Sequence, residues 1–269
     1  MDKLGVLGPV GTFSDEAASK LEEFEKVYYK SHEDVFDALK NNEIENAIVA
    51  VENQLTGTIA ENLDNIYKHN LHILSEIIIP VHQCFCAISK KEEIKNIYSH
   101  EQGFSQCKKF LENYKGVEKI KTESTAKAFE LIKSKNLRGS ACIGPKIAAQ
   151  KYGLEIVQEN IEDFKHNKTR FFLVSNKHII PEDANKTSII FKVKHTPGSL
   201  INCLQRLAKH DINLTKLESR PMPESPWEYM FYVDFEGSVN DANVKIALSE
   251  MEAASYFIRI LGSYPKGKL

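Results

Sequence analysis

The residues able to do chemistry gather where apolar runs give way to helical ones. Gly8-Pro9-Val10-Gly11-Thr12-Phe13-Ser14 joins the run Leu4–Leu7 to a stretch opening with Asp15 and Glu16. Two glycines permit a tight turn, and Thr12 and Ser14 set hydroxyls beside backbone N–H groups at a helix start, the makings of an anion pocket. The lysine of a nucleotide-binding phosphate loop is missing. A second junction is Glu52-Asn53-Gln54-Leu55-Thr56-Gly57-Thr58, where Thr58 and Glu61 fit a capping box and set the expected helix start. A third is Ser99-His100-Glu101-Gln102, where Ser99 and Gln102 fit the same box and Gln106 lies one turn further. In open α/β sheets ligands sit at the carboxyl ends of strands. Three such junctions point to a small, oxygen-rich, anionic ligand, although each alone reads as an ordinary cap and His100 as an ordinary surface histidine. Thr169-Arg170-Phe171 begins a strand; its arginine can fork onto a carboxylate and its threonine can donate a hydroxyl proton.

These junctions need a scaffold, and the composition allows one. The chain has 269 residues, 42% hydrophobic and 27% charged, enough for a substantial core without disulfide or metal staples. Its 35 basic and 37 acidic residues leave a formal charge of −2, which excludes the electrostatic footprint of a nucleic-acid or anionic-membrane binder. The start, Met1-Asp2-Lys3-Leu4-Gly5-Val6-Leu7, has no apolar signal core, and the longest greasy run, Ile77-Ile78-Ile79-Pro80-Val81, is strand-sized. A cytoplasmic protein is expected. The five cysteines (Cys84, Cys86, Cys107, Cys142, Cys203) form no CxxC pair, so they read as reduced, mostly buried fillers and not as metal ligands.

Along the first two-thirds, strand-sized runs alternate with helical patterns, which argues for an α/β region with mostly parallel strands. A helix carrying Ala17, Ala18, Leu21 and Phe24 on one face follows the first strand, and Ser31-His32-Glu33-Asp34 opens another. Asn46–Val51 is a buried-strand candidate and Thr58–Tyr67 is helical. After the runs His72–Ile79 and His82–Ser89 come strand Asn96–Ser99, a helix over about Glu101–Asn113 and the run Val117–Ile120. A helix from Ser124, strand Ser140–Ile143 and a helix between Pro145 and Gly153 follow. The runs back to back around Pro80, with a return near Asn160–Val174, suggest two lobes and a cleft. Ser175–Asn185 reads as a linker. Beyond it lie strand Thr187–Lys194, helix Gly198–Lys209, strand Asn213–Ser219, the Pro-rich turn Pro221–Pro226, strand Trp227–Phe235, helix Asn240–Glu252 and strand Tyr256–Leu261. That βαββαβ order is ferredoxin-like.

Taken together, Gly8–Ala18, Glu52–Asp64, Ser99–Leu111, Glu123–Ile132, Gly144–Val174 and Glu218–Pro221 closely resemble the prephenate dehydratase family. The chain departs from the family pattern at Ala50-Val51, at Gln54 and at Glu101. The resemblance implies a catalytic domain over residues 1–178, two-lobed like type II periplasmic binding proteins, with lobe one about 1–78 and 158–178 and lobe two about 79–157. It also implies an ACT regulatory domain over 186–264, a homodimer or homotetramer, prephenate as substrate and no cofactor or metal. By the same resemblance Thr169, Arg170, Glu52, Asn53, Ser99 and Gln106 are catalytic, with Thr169 donating to the departing hydroxyl, and Thr12, Ser14 and Phe171 bind substrate. Pro197, Gly198, Ser199, Leu200, Glu218, Ser219, Arg220 and Pro221 match the family's site for L-phenylalanine, the inhibitory effector. The same chemistry on arogenate and a non-catalytic amino-acid sensor are the alternative readings.

Overall fold

The computed structural model describes residues 1–90, 93–221 and 229–268. In chain order they begin β1 (Asp2–Leu7), α1 (Phe13–Ala18), β2 (Phe24–Tyr29), α2 (His32–Lys40), β3 (Asn46–Asn53), β4 (Gly57–Thr58), α3 (Ala60–Lys68) and β5 (His72–Pro80). Next come β6 (Cys84–Ala87), β7 (Asn96–Ser99), α4 (Glu101–Gln106), α5 (Lys108–Leu111), β8 (Glu118–Lys121), α6 (Thr125–Ser134), β9 (Ser140–Gly144), α7 (Lys146–Tyr152), β10 (Glu155–Gln158) and β11 (Lys168–Ser175). The chain closes with β12 (Lys186–Lys192), α8 (Ser199–Lys209), β13 (Leu214–Pro221), β14 (Tyr229–Glu236), α9 (Ala242–Ala254) and β15 (Phe257–Tyr264). No helix among the described residues is long and apolar enough to cross a membrane. Packing divides the chain into two units, Met1–Ile59 with Ile78–Phe171 and Ala60–Ile77 with Phe172–Leu269.

The first unit holds two mixed sheets. In one, β2, β1, β3 and β11 lie side by side, β1 running parallel to β2 and β3 while β4 folds back antiparallel on β3. In the other the order is β10-β6-β9-β7-β8; β7 is parallel to β8 and β9, but β6 is antiparallel to both its neighbours. The expectation of mostly parallel strands is corrected accordingly: β6 is the strand by which the chain enters this sheet from the crossing at Val81, without a helix to reverse it. Local chemistry sets several helix ends. Ser31 and Asp34 form a reciprocal capping box, Ser124 caps α6, and α7 runs from an extended Pro145 to a left-handed Gly153.

Four element boundaries differ from the sequence expectation. The first helix stops at Ala18, and Phe24 opens β2 instead of extending the helical face. Thr58 pairs with Glu52 in β4, so α3 starts at Ala60: the Asn53 side-chain carbonyl accepts from the N–H groups of Leu55 and Thr56, and the turn continues through Gly57 at φ +82°. Ser99 caps nothing; its hydroxyl donates to the Ile143 carbonyl, while His100 Nδ1 accepts from Gln102 N–H as the cap of α4. The helix expected over 101–113 breaks at Cys107, because the Asp163 carboxylate accepts from Lys108 and Lys109 N–H at 3.0 and 3.1 Å and starts a fresh turn, α5. The Pro-rich turn after Pro221 and the expected strand start at Trp227 lie outside the described residues.

Asp15 ties β2 to the Gly8–Ser14 turn. It is 2% exposed, and its carboxylate accepts from Gly11 N–H (2.9 Å), Lys26 Nζ (2.9 Å) and Tyr28 Oη (2.7 Å). Burial by itself would raise its pKa, yet these three donors outweigh that and hold it below the ordinary 3.8. A lowered native pKa stabilises the fold above the unfolded value and loses that contribution as pH falls through the native one. Asp15→Asn is therefore expected to cost about 1–3 kcal/mol near neutral pH. In urea titrations the deficit should narrow as the pH drops below 3.8; a pH-independent deficit would mean the charge does not matter.

In the second unit β12-α8-β13-β14-α9-β15 builds an antiparallel sheet in the order β13-β14-β12-β15, the ferredoxin-like arrangement. Strand alternation sorts its two faces. Ile189, Phe191, Val233 and Phe235 pack with Cys203, Leu207, Val244 and Met251 of α8 and α9. On the other face Tyr232 donates to the Leu63 carbonyl, Arg220 pairs with Asp64 at 2.8 Å, and Arg259 donates to the carbonyls of Tyr67 and Leu71. Both faces are covered, which is why β12 is a nearly unbroken buried run.

Candidate active site

The site is built in the first unit from the ends of β3 and β11 together with α4 and the crossing segment. Asn53 ends β3, and its carbonyl is fixed by the turn N–H groups of Leu55 and Thr56, at 3.0 and 3.2 Å. That leaves its amide nitrogen pointing across to β11, where it donates to Thr169 Oγ1 at 2.9 Å and to the Lys168 carbonyl at 3.3 Å. Thr169 Oγ1 is thereby an acceptor from protein. Its own proton has no acceptor among the described residues, and the hydroxyl opens on a small cavity of about 70 Å³. Asn53, Gln83, Gln102, Gly103, Gln106 and Thr125 are among the lining groups. A Cβ at Gly103 would run into Ser99 Oγ, so any other residue there would force the serine hydroxyl to move.

Alternation along the two strands separates residues that the sequence places in one constellation. Neighbours on a strand face opposite ways, so Asn53 and Thr169 share the cavity side while Glu52 and Arg170 share the other. Glu52 Oε2 lies 3.5 Å from Arg170 Nη1, with the guanidinium side chain 11% exposed. Neither is among the described residues lining the cavity. Phe171 is buried on the Thr169 side without lining the cavity.

The other sequence candidates fall in three places. Gln106 lines the cavity and accepts from Gln83 Nε2 at 3.0 Å. Ser99 is buried behind Gly103. Thr12 caps α1, accepting from Asp15 N–H and donating to the Leu7 carbonyl, and Gly11 N–H is engaged by Asp15; Phe13, between Thr12 and Ser14, is the residue of that turn that lines the cavity. In the second unit Pro197 and Leu200 line a separate concavity of about 350 Å³ with Val193 and Phe231. Gly198 starts α8 at φ +82°, and the hydroxyls of Ser199 and Thr196 are 2.6 Å apart. Glu218, Ser219, Arg220 and Pro221 lie on β13 and are not among the described lining residues; Asp64 holds the Arg220 guanidinium and raises its pKa.

Gln83 escaped the sequence reading. The available signal was the polar pair His82-Gln83 interrupting two buried apolar runs. All five cysteines are free and buried, and burial pushes the thiols of Cys84 and Cys203 up to about 11, so neither is a ready nucleophile.

Comparison with known proteins places the chain among named relatives. Among curated relatives, a bifunctional chorismate mutase/prephenate dehydratase of Aquifex aeolicus is 36% identical over 99% of this chain and 74% of its own. An arogenate dehydratase/prephenate dehydratase of Arabidopsis thaliana is 37% identical over 96% of this chain and 67% of its own. Among solved structures, the prephenate dehydratase of Arthrobacter aurescens in complex with L-Phe superposes with a TM-score of 0.87 at 27% identity, covering 98% of this chain and 89% of that one. The family model for prephenate dehydratase matches residues 4–179, a stretch that holds both β3 and β11 with their Asn53–Thr169 pair, and the chain belongs to the prephenate dehydratase family.

Proposed function

We propose that this protein converts prephenate to phenylpyruvate, CO2 and water, and that L-phenylalanine inhibits it. The observation that carries the reading is Thr169 on the cavity wall, its hydroxyl accepting from the Asn53 amide and its own proton without an acceptor among the described residues. Prephenate loses its ring carboxylate as CO2; the electron pair of the broken C–C bond enters the ring, and the hydroxyl opposite departs. The product ring is aromatic, so the drive is large and the protein needs only to orient the substrate and assist the leaving oxygen. A threonine is too weak an acid to ionise. Thr169 helps by hydrogen bonding to the leaving oxygen as negative charge grows there, and the second proton of the water comes through that contact from solvent. The cavity has a volume of about 70 Å³. It fits the hydroxyl end of the ring, and the rest of the substrate extends beyond it.

In this reading Glu52 and Arg170 work through the strands: their ion pair, on the far face, fixes β3 against β11 and with it the Asn53–Thr169 geometry. Ser99 supports the wall at Gly103, and Thr12, Ser14 and Phe171 shape the surroundings. Residues 1–178 form the two-lobed catalytic domain and 186–264 the ACT domain, where Pro197–Leu200 and Glu218–Pro221 hold the effector. The protein acts in the cytoplasm as a dimer or tetramer.

The test is purified protein with prephenate, following phenylpyruvate by its ultraviolet absorbance in alkali, with and without millimolar phenylalanine. Product that phenylalanine suppresses is expected. Product unaffected by phenylalanine would remove the regulatory half. The 37% identity to a relative named for both substrates favours arogenate as a second substrate, and turnover of arogenate alone would replace prephenate in this reading.

A further inference from the structure

Gln83 sits in the cavity with one half of its amide engaged and the other unanswered. The residue is 3% exposed; Nε2 donates to Gln106 Oε1 at 3.0 Å, and Oε1 is buried without a hydrogen-bond partner among the described residues. A buried amide carbonyl without a donor is costly to keep, so one left in a cavity wall is a place made for a donor from elsewhere. The backbone of Gln83 is clamped on both sides: its N–H donates to Glu162 Oε2 at 2.8 Å and its carbonyl accepts from Ile161 N–H at 3.0 Å. Glu162 also holds His82 Nδ1, at 2.7 Å. The backbone of the glutamine is therefore held in place by groups that do not themselves line the cavity.

The cavity wall thus carries a donor and an acceptor that have no partner among the described residues, the Thr169 O–H and Gln83 Oε1. A hydroxyl is the group that accepts one hydrogen bond and donates another. The prephenate dianion has a single O–H, the ring hydroxyl that departs; its carboxylates and keto group only accept. Resting on the reaction proposed above, we infer that Gln83 is a substrate-positioning residue that accepts the hydrogen bond of this ring hydroxyl. That contact turns the oxygen's lone pair toward Thr169. As the C–O bond breaks, the departing oxygen keeps its own hydrogen on Gln83 and takes its new one through Thr169, leaving as water.

The experiment uses two competitive ligands that cannot become aromatic: ring-saturated prephenate, which keeps the hydroxyl, and its 4-deoxy counterpart. Wild type should bind the hydroxylated ligand about 10-fold or more tighter than the deoxy one, the scale of a site left with an unpaired polar group. In Gln83→Met, which keeps the length and removes the acceptor, the ratio should fall about 5-fold or more, chiefly through the hydroxylated ligand. In Gln83→Glu, which keeps an acceptor but adds charge, both ligands should weaken and the ratio should persist. These ratios are internal to each folded protein, so a purely packing role would leave them unmoved. An unchanged ratio in Gln83→Met, with wild type active on prephenate, overturns the role of Gln83 and leaves the reaction standing. A wild type that makes no phenylpyruvate overturns the reaction itself.

Discussion

Thr169→Ala is expected to lower kcat by about 100-fold or more, the usual scale for a positioned proton donor. The side chain lies on a strand, its methyl is small, and the main bond lost is the one from Asn53 Nδ2. The stability cost should therefore stay near 1 kcal/mol. Because the hydrogen bond to the leaving oxygen strengthens as charge develops, kcat and kcat/KM should fall together. Thr169→Ser keeps the hydroxyl and its acceptor bond and should retain most of the rate. Steady-state assays of the two variants beside their urea midpoints decide the matter: normal turnover in Thr169→Ala would take this residue out of the chemistry.

The largest stability effect is expected in the second unit, at Lys186. Its ammonium meets Glu76 Oε2 at 2.6 Å, with the two side chains 9% and 1% exposed. Glu76 also accepts from Gly267 N–H at 3.0 Å, which secures the segment after β15. Lys186→Met strips the cation and leaves the carboxylate buried, a change that costs about 3–5 kcal/mol. Removing both charges is far milder, because the desolvation of two ions disappears along with their attraction. Lys186→Met with Glu76→Leu should thus recover most of the loss. Denaturant unfolding of the single and double variants checks this, and a single-variant loss below about 1 kcal/mol would show that the pair is worth no more than a surface bridge.

What could be read from the sequence was local. The helix between Pro145 and Gly153 and the helix starts at Ser31 and Ser124 depend on a few neighbouring residues, and they stand in the structure as the sequence suggests. Motif residues were also legible as a set, because Asn53 and Thr169 carry recognisable types in recognisable places. What escaped was decided by distant partners. Asp163 breaks the helix at Cys107 by holding Lys108 N–H from 55 residues away, and Glu162 clamps Gln83 from 79 away. No local pattern at Cys107 or Gln83 announces those carboxylates. The separation of Arg170 from the cavity is an intermediate case: strand alternation already places it opposite Thr169, but its pairing with Glu52 is visible only in the structure.

The second unit is discontinuous in sequence, because residues 60–77 belong with 172–269. Anyone building hybrids by cutting in the polar stretch before Lys186 would leave α3 and the first part of β5 on the other side of the junction. A transplanted tail would arrive with Tyr232, Arg220, Arg259 and Lys186 deprived of Leu63, Asp64, Tyr67, Leu71 and Glu76. The new host would have to supply matching carbonyls and carboxylates. Swaps of this unit are thus two-piece grafts, in which the helix travels with the sheet it serves.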